Sequence, residues 1–136
     1  MNAIVSIGSL EVREKLFLLE DYLRQFEQYD FEVKHTFTDG IYAREIFLPA
    51  GSMVVGKIHR HNHLNFISRG TVTVYTKDGL ETFTGPITMI STAGTKRAVY
   101  ANTDCVWTTI HTNPDNITDL GKLEDMIIAK NYEDLL

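Results

Sequence analysis

The chain has 136 residues, 43% of them hydrophobic and 23% charged, with 13 Lys and Arg against 18 Asp and Glu for a formal net charge of −5 at pH 7. That length makes one domain able to bury about two thirds of its unfolded surface. The acidic balance and scattered basic residues exclude nucleic acid and an anionic membrane as partners, and a single cysteine, Cys105, excludes an internal disulfide. No apolar run approaches the ~20 residues of a membrane helix, and no charged-then-apolar leader precedes the first polar residues. The expectation is therefore a soluble protein of the reducing cytoplasm.

In chain order, Met1 to Gly8 is apolar and short, and is expected to form a loose arm or an edge strand. Ser9 stands where a helix cap belongs. Val12, Leu16, Leu19, Leu23 and Phe26 recur at helical spacing and predict an amphipathic helix over about 10–28, with Arg13, Glu14, Glu20, Arg24 and Glu27 facing outward. Phe17, Leu18 and Tyr22 widen the apolar stripe beyond one contact surface. A helix of that kind buttresses or covers a sheet and leaves a second face for another subunit, so a homo-oligomer, a dimer, is expected.

From Phe31 the hydrophobic period changes from 3.6 to 2. Strands are predicted over 31–37, 41–48, 53–59, 64–68, 71–76, 81–83, 87–91, 96–100 and 106–111, with turn signals such as Asp39-Gly40, Arg69-Gly70, Asp78-Gly79 and Ala93-Gly94 between them. Many short strands with no helix between them mean an all-β antiparallel barrel or sandwich. After Pro114, Asn116 is positioned to cap a terminal helix whose stripe is Leu120, Leu123 and Ile127. The expected organisation is an N-terminal arm and helix over 1–30, a β-barrel over 31–113 and a C-terminal helical tail over 114–136.

Three of the five histidines, His59, His61 and His63, fall within five residues of a predicted strand. They share one parity, so on an extended backbone all three imidazoles leave the same face. Imidazole is the commonest side-chain ligand of first-row transition metals and is mostly neutral at pH 7, which favours it in a half-buried site. In CVWTTIH, Cys105, Trp107, Thr109 and His111 share a face, and a last strand beside the first array would aim His111 into the same space. His35 is expected to be structural or exposed. Cys105 has no basic neighbour in sequence and reads as a small core residue rather than a nucleophile. Trp107 reads as core or cavity wall, and no glycine-rich loop leads into a helix to hold phosphate.

The stretch Gly51–Gly70, GSMVVGKIHRHNHLNFISRG, taken with Gly85–Asn102, resembles the two-motif signature of cupins, small jelly-roll barrels that hold a metal or a small ligand in the barrel mouth. The resemblance covers roughly residues 41–112, and the texture of GIYAREIFLPAG and GTKRAVYANTDCVWTTIH is also similar to small cupins encoded by bacteriophages. The first cupin motif has a His-X-His pair, a glutamate and a closing glycine. Counted back from Gly70, His63 takes the glutamate's place, His59 that of the second histidine and Lys57 that of the first. Counted forward from His59-X-His61, Asn65 takes the glutamate's place. The count from Gly70 is preferred because the following hairpin fixes the strand end. In the second motif Gly85, Ala93-Gly94 and Asn102 are present, but Arg97 stands in the histidine's place, and a guanidinium has no lone pair to give a metal.

The resemblance implies a jelly-roll cup with a divalent transition metal, Zn, Ni, Fe or Mn, on His59 and His63 with His61 or His111 completing the set, and no organic cofactor. No carboxylate lies between His59 and Asp78, which favours an all-nitrogen site nearer Zn or Ni. Tyr42, Tyr75, Tyr100 or Glu45 would then handle protons. Lys57, Arg97 and Tyr100 are the candidate ligand-binding residues for a small molecule in the barrel, and Lys96 and Arg44 join them if an anion is captured without being transformed. A structural, virion-associated oligomer is a third expectation, resting on the first helix. Substrate and reaction are not specified by any motif.

Overall fold

The computed structural model describes residues 9–135. The expected arm over 1–8, and the side chains of residues 9–12 with the Ser9 cap, lie outside the described residues. Helix α1 (Ser9–Leu23) is followed by strands β1 (Val33–Thr38), β2 (Gly40–Leu48), β3 (Met53–Val55), β4 (Ile58–His59), β5 (His63–Arg69), β6 (Thr71–Thr76), β7 (Gly79–Thr84), β8 (Ile87–Ser91), β9 (Ala98–Ala101) and β10 (Cys105–Asn113). Helix α2 (Leu120–Ile127), strand β11 (Ile128–Ala129) and a single 3-10 turn at Tyr132–Leu135 complete the chain.

Every paired strand is antiparallel. One sheet runs β1-β2-β10-β5-β8, facing it stands β3-β9-β6-β7, and β4 pairs with β11 alone. The long-range crossings, β10 between β2 and β5 and β9 between β3 and β6, are those of a jelly roll rather than a meander. Inward positions alternate clearly along β5 and β6 as period 2 requires. Leu48, Ile67, Val72, Val74, Val99, Ala101, Cys105 and Trp107 meet between the two sheets as a buried apolar core. Burial pushes the Cys105 thiol up to about 11, so it is a small core residue.

Gly70 turns the corner between β5 and β6 at φ +101°, and a Cβ built there would lie 2.7 Å from Cys105 Cα. Only glycine tolerates both that conformation and that approach. The corner fixes the register of β5, which is why counting from Gly70 places its inward residues.

Four expectations need correction. The strand predicted over 53–59 breaks at Gly56-Lys57, where Gly56 N donates to Arg97 O (2.9 Å), and the chain leaves one sheet to form β4. The first helix ends at Leu23, well before residue 28. Glu20, placed outward by the periodicity, is instead buried and sits 3.1 Å from Lys96 Nζ and 3.3 Å from Lys57 Nζ. A carboxylate goes inside because it meets a buried ammonium there: the Lys96 side chain is 1% exposed, and its Nζ also stands 4.2 Å above the Phe17 ring. At the other end the cap of α2 is Asp119, whose carboxylate accepts from Lys122 N (3.0 Å). Asn116 adopts φ +53° and spends its side chain on Gly40 N and Asp39.

Candidate functional site

Along the inner wall of the larger sheet the side chains change from apolar to polar. Trp107 and Ile67 belong to the core. One step further, Asn65 Nδ2 donates to Ser91 Oγ (2.7 Å) and Trp107 Nε1 donates to Asn65 Oδ1 (3.0 Å), with Asn65 and Ser91 fully buried. Arg97 Nη2 donates to the same Ser91 hydroxyl, and its guanidinium stands 5.7 Å over the Trp107 ring. Beyond this layer come His63 from β5, His111 from β10 and His59 from β4. His59 and His111 line a cavity of about 610 Å³, together with His35, Tyr42, Arg44, Lys57, Arg97, Trp107 and Thr109, and His63 is buried against those two rings.

The three imidazoles lie together although they come from three strands. Ring centroids are 4.3 Å apart for His59 and His63, 4.7 Å for His63 and His111, and 5.5 Å for His59 and His111. His59 and His111 are almost parallel, at 5°. His111 Nε2 is 2.9 Å from Thr109 Oγ1. Both ring nitrogens of His63 are buried without a hydrogen-bond partner. Among the described residues no group of three or more His, Cys, Asp and Glu side chains is poised to grip an ion as it stands. The stacking accounts for this, because the rings present faces to one another rather than converging lone pairs.

Burial disfavours the imidazolium at each position. It pushes His59 down to about 3, helped by repulsion from His63, His111 and Arg97, and His111 down to about 4, helped by His63 and Arg44. His63 is lowered for the same reason, with Arg97 adding to it; His61 and Asn65 pull the other way without reaching hydrogen-bonding geometry. All three rings are neutral at pH 7. Arg97 and Arg44 both line the cavity with His59 and His111.

The C-terminal segment covers this end of the barrel. Leu123 and Ile127 of α2 pack with Tyr42, and Leu120, Glu124 and Ile128 join the cavity lining. Arg60, next in sequence to His59, clamps the segment: its Nε donates to Ile128 O (2.9 Å) and Asp125 O (3.2 Å), and its Nη1 to Asp134 O (3.1 Å). A guanidinium on the last carbonyls of α2 also complements the negative end of the helix. His59 is further fixed by pairing with Ile128 in β4-β11.

Sequence reasoning placed some of these groups and missed others. His61 does not join the other histidines: the backbone bends at residues 60–62, and parity is lost between β4 and β5, leaving His61 exposed. Tyr100 is 39% exposed on the outer face of β9, and Glu45 is exposed on the outer face of β2. Tyr75 packs against the α1 cluster. Of the proton-handling candidates only Tyr42 enters the cavity, its hydroxyl sharing a 2.7 Å hydrogen bond with His35 Nδ1. Lys96 is committed to Glu20, so it is absent from the cavity lining, and Lys57 lines the cavity while paired with the same carboxylate. The residues that sequence reasoning missed are Thr109 as the partner of His111 and the whole α2-β11 cover. Thr109 shares parity with His111 in TTIH, but nothing short of the fold reveals that residues 120–128 reach the mouth.

No protein-family model matches the chain, and no curated protein matches it. Solved structures do. A cupin domain from Bordetella pertussis is similar over 65% of this chain and 98% of its own, at 15% identity and a TM-score of 0.51. A cupin-2 domain containing protein from Shewanella frigidimarina is similar over 70% and 92%, at 14% identity and a TM-score of 0.50. The Schizosaccharomyces pombe Cnp3 cupin domain is similar over 73% and 77%, at 15% identity and a TM-score of 0.53. At such identities the likeness establishes the fold, and nothing in it bears on the similarity to bacteriophage proteins. Among the described residues no helix is long and apolar enough to cross a membrane.

Proposed function

We propose, taking the cupin fold as premise, that this chain is a small metal-binding cupin whose ion is held by His59, His63 and His111. The observation that carries this reading is His63: its two buried ring nitrogens have no partner among the described residues, which is costly, and an ion that takes up the lone pair removes the acceptor nitrogen's share of that cost. The donor set agrees, since three neutral imidazoles are ready to coordinate without first losing protons. Three nitrogens and no carboxylate favour Zn or Ni over the harder ions. Loading requires His59 and His111 to turn out of their stack.

An ion at this position would polarise a bound oxygen and lower the pKa of bound water. The chain's own groups then have definable tasks. Thr109 orients His111 through its hydroxyl. Tyr42 and His35 form a hydrogen-bonded pair from the buried interior to the exposed rim, so the pair can pass a proton between the cavity and solvent. Burial raises the Tyr42 hydroxyl above its ordinary value, so it stays a protonated phenol at neutral pH and beyond. Leu120, Leu123 and Ile127 limit the water that reaches the rings.

The test is metal titration of chelator-treated protein with Zn²⁺ and, for its visible spectrum, Co²⁺. One ion per chain is expected, with the Co²⁺ absorption lost in the His59→Ala, His63→Ala double variant and kept in His61→Ala. Equal uptake by wild type and double variant would overturn the assignment.

A further inference from the structure

The cavity is positively charged in a protein that is negatively charged overall. Arg97, Arg44 and Lys57 line it; Lys57 is paired with Glu20, and the acidic residue among the described lining, Glu124, sits on the exposed surface of α2. The ion pairs among the described residues are those of Glu20 with Arg24, Lys57 and Lys96, of Asp21 with Arg24, and of Asp104 with Arg69. Among the described residues neither Arg97 nor Arg44 is paired with a carboxylate. The hydrogen bond that Arg97 makes goes to a neutral hydroxyl, that of Ser91. A partly buried guanidinium without a counter-ion is unfavourable, and burial lowers Arg97 as that cost requires.

The remaining walls define the rest of a ligand. Phe31, Ile46, Val54, Val99, Trp107 and Leu120 make them apolar. Phosphate is poorly served here. A dianion wants several backbone N–H donors or a free helix N-terminus, and the N-terminus of α2 already holds the Asp119 carboxylate. A carboxylate matches the planar fork of one guanidinium, with the second adding charge.

We propose that the cavity binds a small carboxylic acid with an apolar body, its carboxylate received by Arg97 and Arg44 and its hydrocarbon part lying along Ile46, Val54, Val99 and Trp107. This rests on the reading above that the cavity is the working site, and not on the ion. It also gives the arginine that replaces the second-motif histidine a purpose: it exchanges a metal ligand for an anion receptor.

The experiment is calorimetric titration of the full chain, in chelator and again with Zn²⁺, using 3-phenylpropanoate, its uncharged amide and inorganic phosphate. The acid is expected to bind, with the amide and phosphate each at least about tenfold weaker. Arg97→Gln should weaken the acid by at least about tenfold and leave the amide unchanged, while Arg97→Lys, which keeps the charge without the fork, should fall between. Arg44→Gln, with thermal melting to show that it folds, gives a second measurement should Arg97→Gln fail to fold. Amide or phosphate binding as tightly as the acid, acid affinity unaltered in both glutamine variants, or no saturation below ~10 mM would overturn the inference. Acid binding in chelator with no metal uptake defeats the metal reading alone. Metal uptake without acid binding defeats this one alone.

Discussion

Acidification between pH 7.5 and 5 should destabilise this fold through the clustered imidazoles, and the structure sets the size of the effect. His59 is held near pKa 3 and His111 near 4, against about 6.5 in an unfolded chain. A base whose folded pKa is depressed binds fewer protons folded than unfolded, so stability is fully present above the unfolded value and is lost as pH falls below it. At pH 5 each group alone has lost about 2 kcal/mol by that linkage relation. The rings repel one another when charged and titrate as a coupled set, so the sum is not the simple double. Urea denaturation in chelator is the assay, kept at pH 5 or above to stay clear of Glu20, whose lowered pKa adds a loss of its own, in the same direction, as pH falls below its ordinary value near 4.5. Wild type should lose roughly 2 to 4 kcal/mol between pH 7.5 and 5, and His59→Gln about 2 kcal/mol less than wild type does. A wild-type stability unchanged down to pH 5, or a His59→Gln profile parallel to it, would refute the burial argument.

Other outcomes follow from single contacts. Glu20→Gln strands the buried Lys96 ammonium and should cost about 3 kcal/mol by urea denaturation, most of it recovered in the Glu20→Gln, Lys96→Met double variant. Gly70→Ala forces a side chain onto Cys105 and into a positive φ, and should lower stability by more than about 2 kcal/mol and depress the melting temperature accordingly. Asn65→Leu leaves the buried Trp107 indole N–H without its acceptor and Ser91 without one of its two donors, so a loss of about 1 to 3 kcal/mol is expected with a changed tryptophan emission. Arg60→Ala should raise amide hydrogen exchange across residues 120–135 before the rest of the chain, because the guanidinium holds three carbonyls of that segment.

Much of the barrel was legible because period 2 and glycine turns are local signals. Strands 71–76 and 87–91 match the predicted bounds, and Gly70 set the register that puts His63 inward. Parity failed where the strand itself failed. His61 was grouped with its neighbours on the assumption of an unbroken extended chain, and the break after Val55 together with the bend at residues 60–62 removed it. Glu20 misled for a different reason: helical periodicity sorts residues by polarity, and a carboxylate matched to a buried lysine far along the chain obeys charge rather than polarity. Of the site, the approach of His111 to the first array followed from strand parity, whereas the partner of β4 could not be read locally. A two-residue strand and the tail that pairs with it carry too little pattern for any window to detect.

The clamp at Arg60 has a wider consequence. Neighbouring residues 59 and 60 point to opposite sides of one short ribbon, one ring into the interior and one guanidinium onto the tail, so whatever turns the first must be felt by the second. A guest that rotates the His59 imidazole would tighten or loosen residues 120–135, and a substitution confined to that outer segment would shift the guest's affinity without touching it.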